Sequence, residues 1–151
     1  MMPRRDFLKL KKEEIIKKIK ETAEKYNQVT FAILFGSIAT DEQSPISDID
    51  IAVYVDETKV DDLFKFQLKL LGAFNDCFKT DEIDLVILNE APPALKYEII
   101  KKGILVFCRN ENVYDEFYLR AMKEYFDFYP ILKKNYEHAK RELRRNVKNG
   151  G

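Results

Sequence analysis

Histidine occurs once in the 151 residues, cysteine twice, and glycine and proline five times each. A single histidine excludes a His-rich metal site. His138 lies among Lys and Glu and reads as a surface residue rather than a catalytic base. Cys77 and Cys108 form no CxxC pair and read as small apolar residues of a reducing compartment. No repeat, low-complexity tract or Pro/Gly/Ser-rich linker divides the chain. Net charge is zero, from 26 Lys and Arg against 26 Asp and Glu, which excludes nucleic-acid binding by bulk electrostatics. The apolar runs are too short to cross a bilayer. Met1 to Lys20 is dominated by charge, unlike a signal peptide. The expectation is a cytoplasmic protein with no membrane contact.

What is present is a 46% hydrophobic chain of one-domain size, able to fold around a single core. Its charge is uneven. Asp41 to Asp62 holds eight acidic residues and one Lys, whereas Ile131 to the end holds seven Lys or Arg and two Glu. The first region suits cations, and the second suits an acidic partner or a solvated helix face.

Periodicity orders the elements. Lys11 to Tyr26, with Ile15, Ile16, Ile19 and Ala23, is an amphipathic helix. Val29 to Phe35 is a buried strand ended by Gly36. Ser37 to Ser47 is a short helix or loop with a turn at Ser44-Pro45. Asp48 to Val55 alternates as a strand, Val60 to Phe78 is a helix, and Ile83 to Leu88 is a third strand. Pro92 to Lys102 is a helix closed by Gly103, and Ile104 to Cys108 is a fourth strand. Asn112 to Asn146 is helical with an interruption at Tyr129-Pro130. The order α-β-β-α-β-α-β-α predicts an α/β domain with a long C-terminal helical arm. Along that arm Tyr118, Met122, Tyr125, Tyr129, Leu132, Tyr136, Ala139 and Leu143 recur every three or four residues. The first half of this stripe is expected to pack on its own domain. Beyond Pro130 the stripe suits a protein interface.

The chemistry is concentrated between Gly36 and Asp50. Gly36-Ser37 closes one apolar run, and after ten residues Asp48-x-Asp50 opens the next. Either pair alone is common; their conjunction between two strands is rare. Strand alternation sends Asp48 and Asp50 to one face. Two adjacent carboxylates repel unless a cation lies between them, and oxygen-only ligands suit Mg²⁺ together with substrate phosphates. The Gly-Ser turn offers close backbone approach and N–H donors for phosphate. Asp84 opens the third apolar run and is the expected third carboxylate; Glu82, two residues earlier, competes for that role. Two Mg²⁺ ions on Asp48, Asp50 and Asp84 would orient a triphosphate and activate an attacking hydroxyl, with Asp84 as a candidate proton acceptor.

The segment FGSIATDEQSPISDIDIAV resembles the minimal nucleotidyltransferase (MNT) domains of the DNA polymerase beta-like nucleotidyltransferase superfamily. DLVIL, NEAPPALKYEIIKKGILVF and RAMKEYFDFYPILKKNYE resemble the branch of MntA antitoxins, which pair with HepT-like ribonuclease toxins. The resemblance implies an α/β (α+β) nucleotidyltransferase fold with a small mixed sheet of about four strands flanked by helices. Residues 10–108 would form the catalytic core and 111–148 the arm. It implies transfer of AMP from ATP to a tyrosine of the toxin. Gly36 and Ser37 would hold phosphates, and Asp48, Asp50 and Asp84 would hold Mg²⁺. Lys96 stands where relatives often carry Arg and would meet a phosphate as a point charge. Tyr129, Leu132, Tyr136 and Leu143 would face the toxin. Alternatives from other classes are a small-molecule nucleotidyltransferase and an antitoxin that acts by binding alone.

Overall fold

The computed structural model describes residues 12–41 and 48–150, apart from the side chains of Phe128, Tyr129, Ile131, Leu132, Tyr136 and 146–150. The expected turn at Ser44-Pro45 and the helix start at Lys11 lie outside the described residues. The elements are α1 (Lys12–Glu24), β1 (Val29–Phe35), α2 (Gly36–Ala39), β2 (Ile49–Val55), α3 (Leu63–Phe78), β3 (Ile83–Ile87), α4 (Pro93–Lys102), β4 (Ile104–Cys108) and α5 (Glu111–Gly150). Short 3₁₀ turns occupy Glu57–Lys59 and Leu88–Glu90. The four strands form one mixed sheet in the order β3-β2-β1-β4. β1 runs antiparallel to both β2 and β4, whereas β2 and β3 are parallel. This is the expected mixed sheet flanked by helices.

β1 has both faces covered, which explains its unbroken apolar sequence. Ala32 and Leu34 point to one face, where Ile15 and Ile19 of α1 and Phe66, Leu70 and Phe74 of α3 complete a core. Phe31 and Ile33 point to the other, where they meet Ile99 and Ile100 of α4 and Phe117 and Ala121 of α5. Phe31 is fully buried; it stacks on Tyr54 at 5.2 Å and meets Tyr114 and Phe117 at 5.1 and 5.5 Å. Those contacts seat the beginning of α5 across the sheet.

Local chemistry sets the ends of the elements. Asp62 caps α3 by accepting a hydrogen bond from the Lys65 N–H at 3.0 Å, so that helix starts at Leu63 rather than Val60. Asn89 accepts from the Val55 N–H at 2.9 Å and donates to the Val55 carbonyl at 2.8 Å, standing in for the strand that β3 no longer supplies. Where an interruption is expected at Tyr129-Pro130, the structure has one 40-residue helix with Pro130 inside it. Proline removes one N–H donor and crowds the carbonyl four residues earlier; Pro130 faces solvent, and the helix continues through it. At 1.5 Å per residue the helix is about 60 Å long. Its early residues Val113, Tyr114, Tyr118 and Met122 pack on the second core, as expected for the first half of the stripe.

Phe31→Ala is expected to cost about 3–5 kcal/mol in urea-induced unfolding. A loss below about 1 kcal/mol would contradict the role of this ring as the anchor of α5.

Candidate functional site

The sheet register assembles the carboxylates. β2 and β3 pair so that Asp50 lies directly beside Asp84, with Ile49 beside Ile83 and Ile51 beside Leu85. Parallel neighbours stand about 4.8 Å apart, so the two acids occupy adjacent positions on one face. Ile49, Ile51, Ile83 and Leu85 alternate into the α1/α3 core. The acids therefore share the opposite face, the one carrying α4 and α5. Asp48 immediately precedes β2 and is exposed. Asp50 registers this crowding. Its pKa is raised from 3.8 to about 6, first by burial, then by the charge of Asp84, then by that of Asp48, and by a hydrogen bond with Asp84. Glu82, the competing candidate, lies just before β3, where its carbonyl accepts from the Ile49 N–H at 3.2 Å. It is absent from the groups that shift Asp50.

Among the described residues no three His, Cys, Asp or Glu side chains form a ready-made ion cage. Mg²⁺ rarely requires one. It commonly takes one or two carboxylates and fills its remaining positions with water and substrate phosphates. An oxygen-only pair in which Asp50 is half-buried beside the charges of Asp84 and Asp48 fits such a cation.

The Gly-Ser corner lies against Asp50. Phe35, the last residue of β1, pairs with Asp50 across the antiparallel ladder. Gly36 follows at φ +76°, in the left-handed region, and a Cβ there would run into Asp50 Oδ2 and lie 2.8 Å from its Cγ. Glycine is thus required both by conformation and by the closeness of the carboxylate. The Thr40 hydroxyl donates back to the carbonyls of Gly36 at 3.3 Å and Ser37 at 3.4 Å, closing α2. Lys12 Nζ fixes the exit of the corner by donating to the Ala39 carbonyl at 2.8 Å, with Asp41 Oδ1 at 3.2 Å.

Beside the corner lies a cavity of about 580 Å³, within the size range of small-molecule sites. Phe35, Gly36, Ser37 and Thr40 form one wall; Leu95, Glu98, Ile99 and Lys102 of α4 form the other. The structure therefore brings together Gly36, Ser37, Asp48, Asp50 and Asp84, but Lys96 lies elsewhere. Lys96 Nζ sits 3.7 Å from Glu124 Oε2 and 5.9 Å from the centre of the Phe117 ring. It lines a separate cavity of about 220 Å³ with residues that include Tyr54, Leu88 and Arg120. The next residue, Tyr97, stacks on Tyr125 at 3.8 Å. Lys102, not singled out from sequence, is the lysine that lines the corner cavity. The available signal was helix phase: positions 95, 98, 99 and 102 share one face, and 96 does not.

A family model described as "Polymerase beta, Nucleotidyltransferase" matches residues 17–112. A search of the curated proteins finds no match. Among solved structures, a chain of a toxin-antitoxin crystal structure with AMP-PNP is 21% identical, with a TM-score of 0.58 over 93% of this chain and 98% of that one. A chain of a MntA-HepT toxin-antitoxin structure is 20% identical, with a TM-score of 0.52 over 91% and 94%. A chain of a complex between tri-AMPylated Shewanella oneidensis HEPN toxin and MNT antitoxin is 19% identical, with a TM-score of 0.52 over 91% and 93%. At such identities the likeness is one of fold.

Asp50 gives the metal-free protein a pH dependence of definite sign. Its raised pKa means that the unfolded chain loses this proton near 3.8 and the folded chain near 6. Stability should fall as pH rises between those values, then level off. Asp50→Asn removes this penalty and should stabilise the metal-free protein near neutral pH, on the order of 1 kcal/mol after solvent screening, with no gain below about pH 4. Denaturant melts across pH measure this, and a variant gain that persists at low pH contradicts the assignment. Gly36→Ala should cost about 2 kcal/mol or more. Part of that cost should vanish in an Asp50→Ala background, where the clashing carboxylate is gone. Additive losses in a double-mutant cycle would show that the two residues do not press on each other.

Proposed function

The chain belongs to the polymerase beta nucleotidyltransferase family, and from that premise we propose that it is a Mg²⁺-dependent adenylyltransferase of the MntA antitoxin type. It would transfer AMP from ATP to a tyrosine of a HepT-like toxin and so silence it. The observation that carries this reading is the pairing of Asp50 with Asp84 at the point where Gly36 presses on the Asp50 carboxylate.

In this reading the Gly36 and Ser37 backbone and the Ser37 hydroxyl hold the β- and γ-phosphates, while Asp48, Asp50 and Asp84 hold Mg²⁺. When bound, Mg²⁺ supplies neutralising charge for the triphosphate and favours ionisation of the acceptor hydroxyl. The acceptor's phenolic oxygen forms a bond to the α-phosphorus. The bond from that phosphorus to the bridging oxygen of the β-phosphate breaks, diphosphate departs, and the phenolic proton passes to the Asp84 carboxylate. Such a transfer depends mainly on positioning and on fixed charge. ATP is favoured because a structure of this fold carries AMP-PNP and another includes a tri-AMPylated toxin.

The partner surface in this proposal is the outer part of α5. Residues 10–108 act as the catalytic core and 111–148 as the arm. Leu143 is exposed there, whereas the side chains of Tyr129, Leu132 and Tyr136 lie outside the described residues. Among the described residues no helix is long and apolar enough to cross a membrane, and a cytoplasmic location belongs to the same proposal.

Labelled ATP, Mg²⁺ and the product of the neighbouring gene should together give AMP on that partner, read by mass spectrometry. Asp48→Asn and Asp50→Asn should each reduce transfer by roughly 100-fold or more while the protein remains folded by circular dichroism. A stable complex without label would favour an antitoxin that acts by binding alone, and full transfer by either variant would remove the carboxylates from the mechanism.

A further inference from the structure

We infer that Lys102 is a phosphate-binding residue whose ammonium leaves Glu98 for the triphosphate of a nucleotide seated at the Gly36-Ser37 corner. This deepens the nucleotidyl-transfer reading and rests on it.

The cavity beside the corner has two chemical halves. Phe35, Leu95 and Ile99 give it an apolar wall; Gly36, Ser37, Thr40, Glu98 and Lys102 give it a polar one. A ligand with a flat apolar part and a strongly anionic part matches such a lining, and a nucleoside triphosphate has both. Lys102 is the cation among the lining residues. It stands at the last position of α4, and helical side chains lean toward the helix N-terminus. That tilt carries its ammonium back over Glu98 and Ile99, along the cavity wall.

The partner of Lys102 is easily exchanged. Its Nζ lies 3.6 Å from Glu98 Oε1, with the two side chains 67% and 63% exposed. An exposed i,i+4 ion pair contributes little, and a multiply charged phosphate is a stronger partner for an ammonium than one carboxylate. Lys96, by contrast, is only 17% exposed and is engaged by Glu124 and Phe117. Lys101 provides an internal control: it has the same charge one position away, it is exposed, and it does not line the cavity.

The test is calorimetric titration of the full chain with MgATP and, separately, with adenosine. Lys102→Met should weaken MgATP roughly five- to tenfold and leave adenosine within about twofold. Lys102→Arg should recover most of the loss, and Lys101→Met should change MgATP by less than about twofold. Undiminished MgATP binding by Lys102→Met overturns this inference alone. So does an equal loss in Lys101→Met, which would mean general electrostatics, or an equal loss of adenosine, which would mean a structural role. Failure of the unaltered chain to bind MgATP overturns both this inference and the reading on which it rests.

Discussion

Two acids on neighbouring strands repel each other, and the site is organised around that repulsion. Asp50 and Asp84 are held side by side by the parallel pairing of β2 with β3. Neither can retreat, because Ile49, Ile51, Ile83 and Leu85 anchor the flanking positions in the core beneath. The raised proton affinity of Asp50 comes first from its burial and then from the charges of Asp84 and Asp48. A proton relieves the repulsion at low pH, and a divalent cation is the chemically suited relief at neutral pH. Gly36 tightens the arrangement from the other side by bringing bare backbone against the same carboxylate. The apolar core thus holds in place a charge arrangement that would be unfavourable without a ligand.

Much of this was legible in the chain. Strand alternation placed Asp48 and Asp50 on one face, and Gly36 and Asp84 stood at the ends of apolar runs. The pairing of Asp84 with Asp50 was not legible, since register is a property of two strands and is absent from either alone. Lys96 and Lys102 illustrate a second limit. Both lie on one predicted helix, and choosing between them requires the rotation of that helix about its axis. Packing sets this rotation: Tyr97 on Tyr125 and Lys96 on Glu124 turn positions 96 and 97 toward α5. Positions 95, 99 and 102 are left for the cavity. The continuity of α5 through Pro130 also escaped local rules, because the lost donor and crowded carbonyl are confined to one turn of a helix of 40 residues.

The two faces of the sheet divide the work. One is closed by α1 and α3 over a largely apolar interior. The other is only partly covered: aromatic contacts around Phe31 seat α5, α4 crosses toward the Gly36 corner, and the acids emerge where the helical cover ends. Asn89 completes β2 at Val55, beyond the last pairing of the five-residue β3 and at the end of the strand away from the acids.

The parallel β2–β3 ladder also makes the site all-or-none. Side chains alternate at every step, so sliding β3 by one residue would present Ile83 or Leu85 to Asp50 and turn Asp84 into the hydrocarbon beneath. No intermediate alignment exists in which the acids are merely farther apart. An insertion or deletion in the segment joining these strands must therefore be absorbed in the turns on either side of α3, since the buried face of that helix, Phe66, Leu70 and Phe74, is as fixed in phase as the pleat.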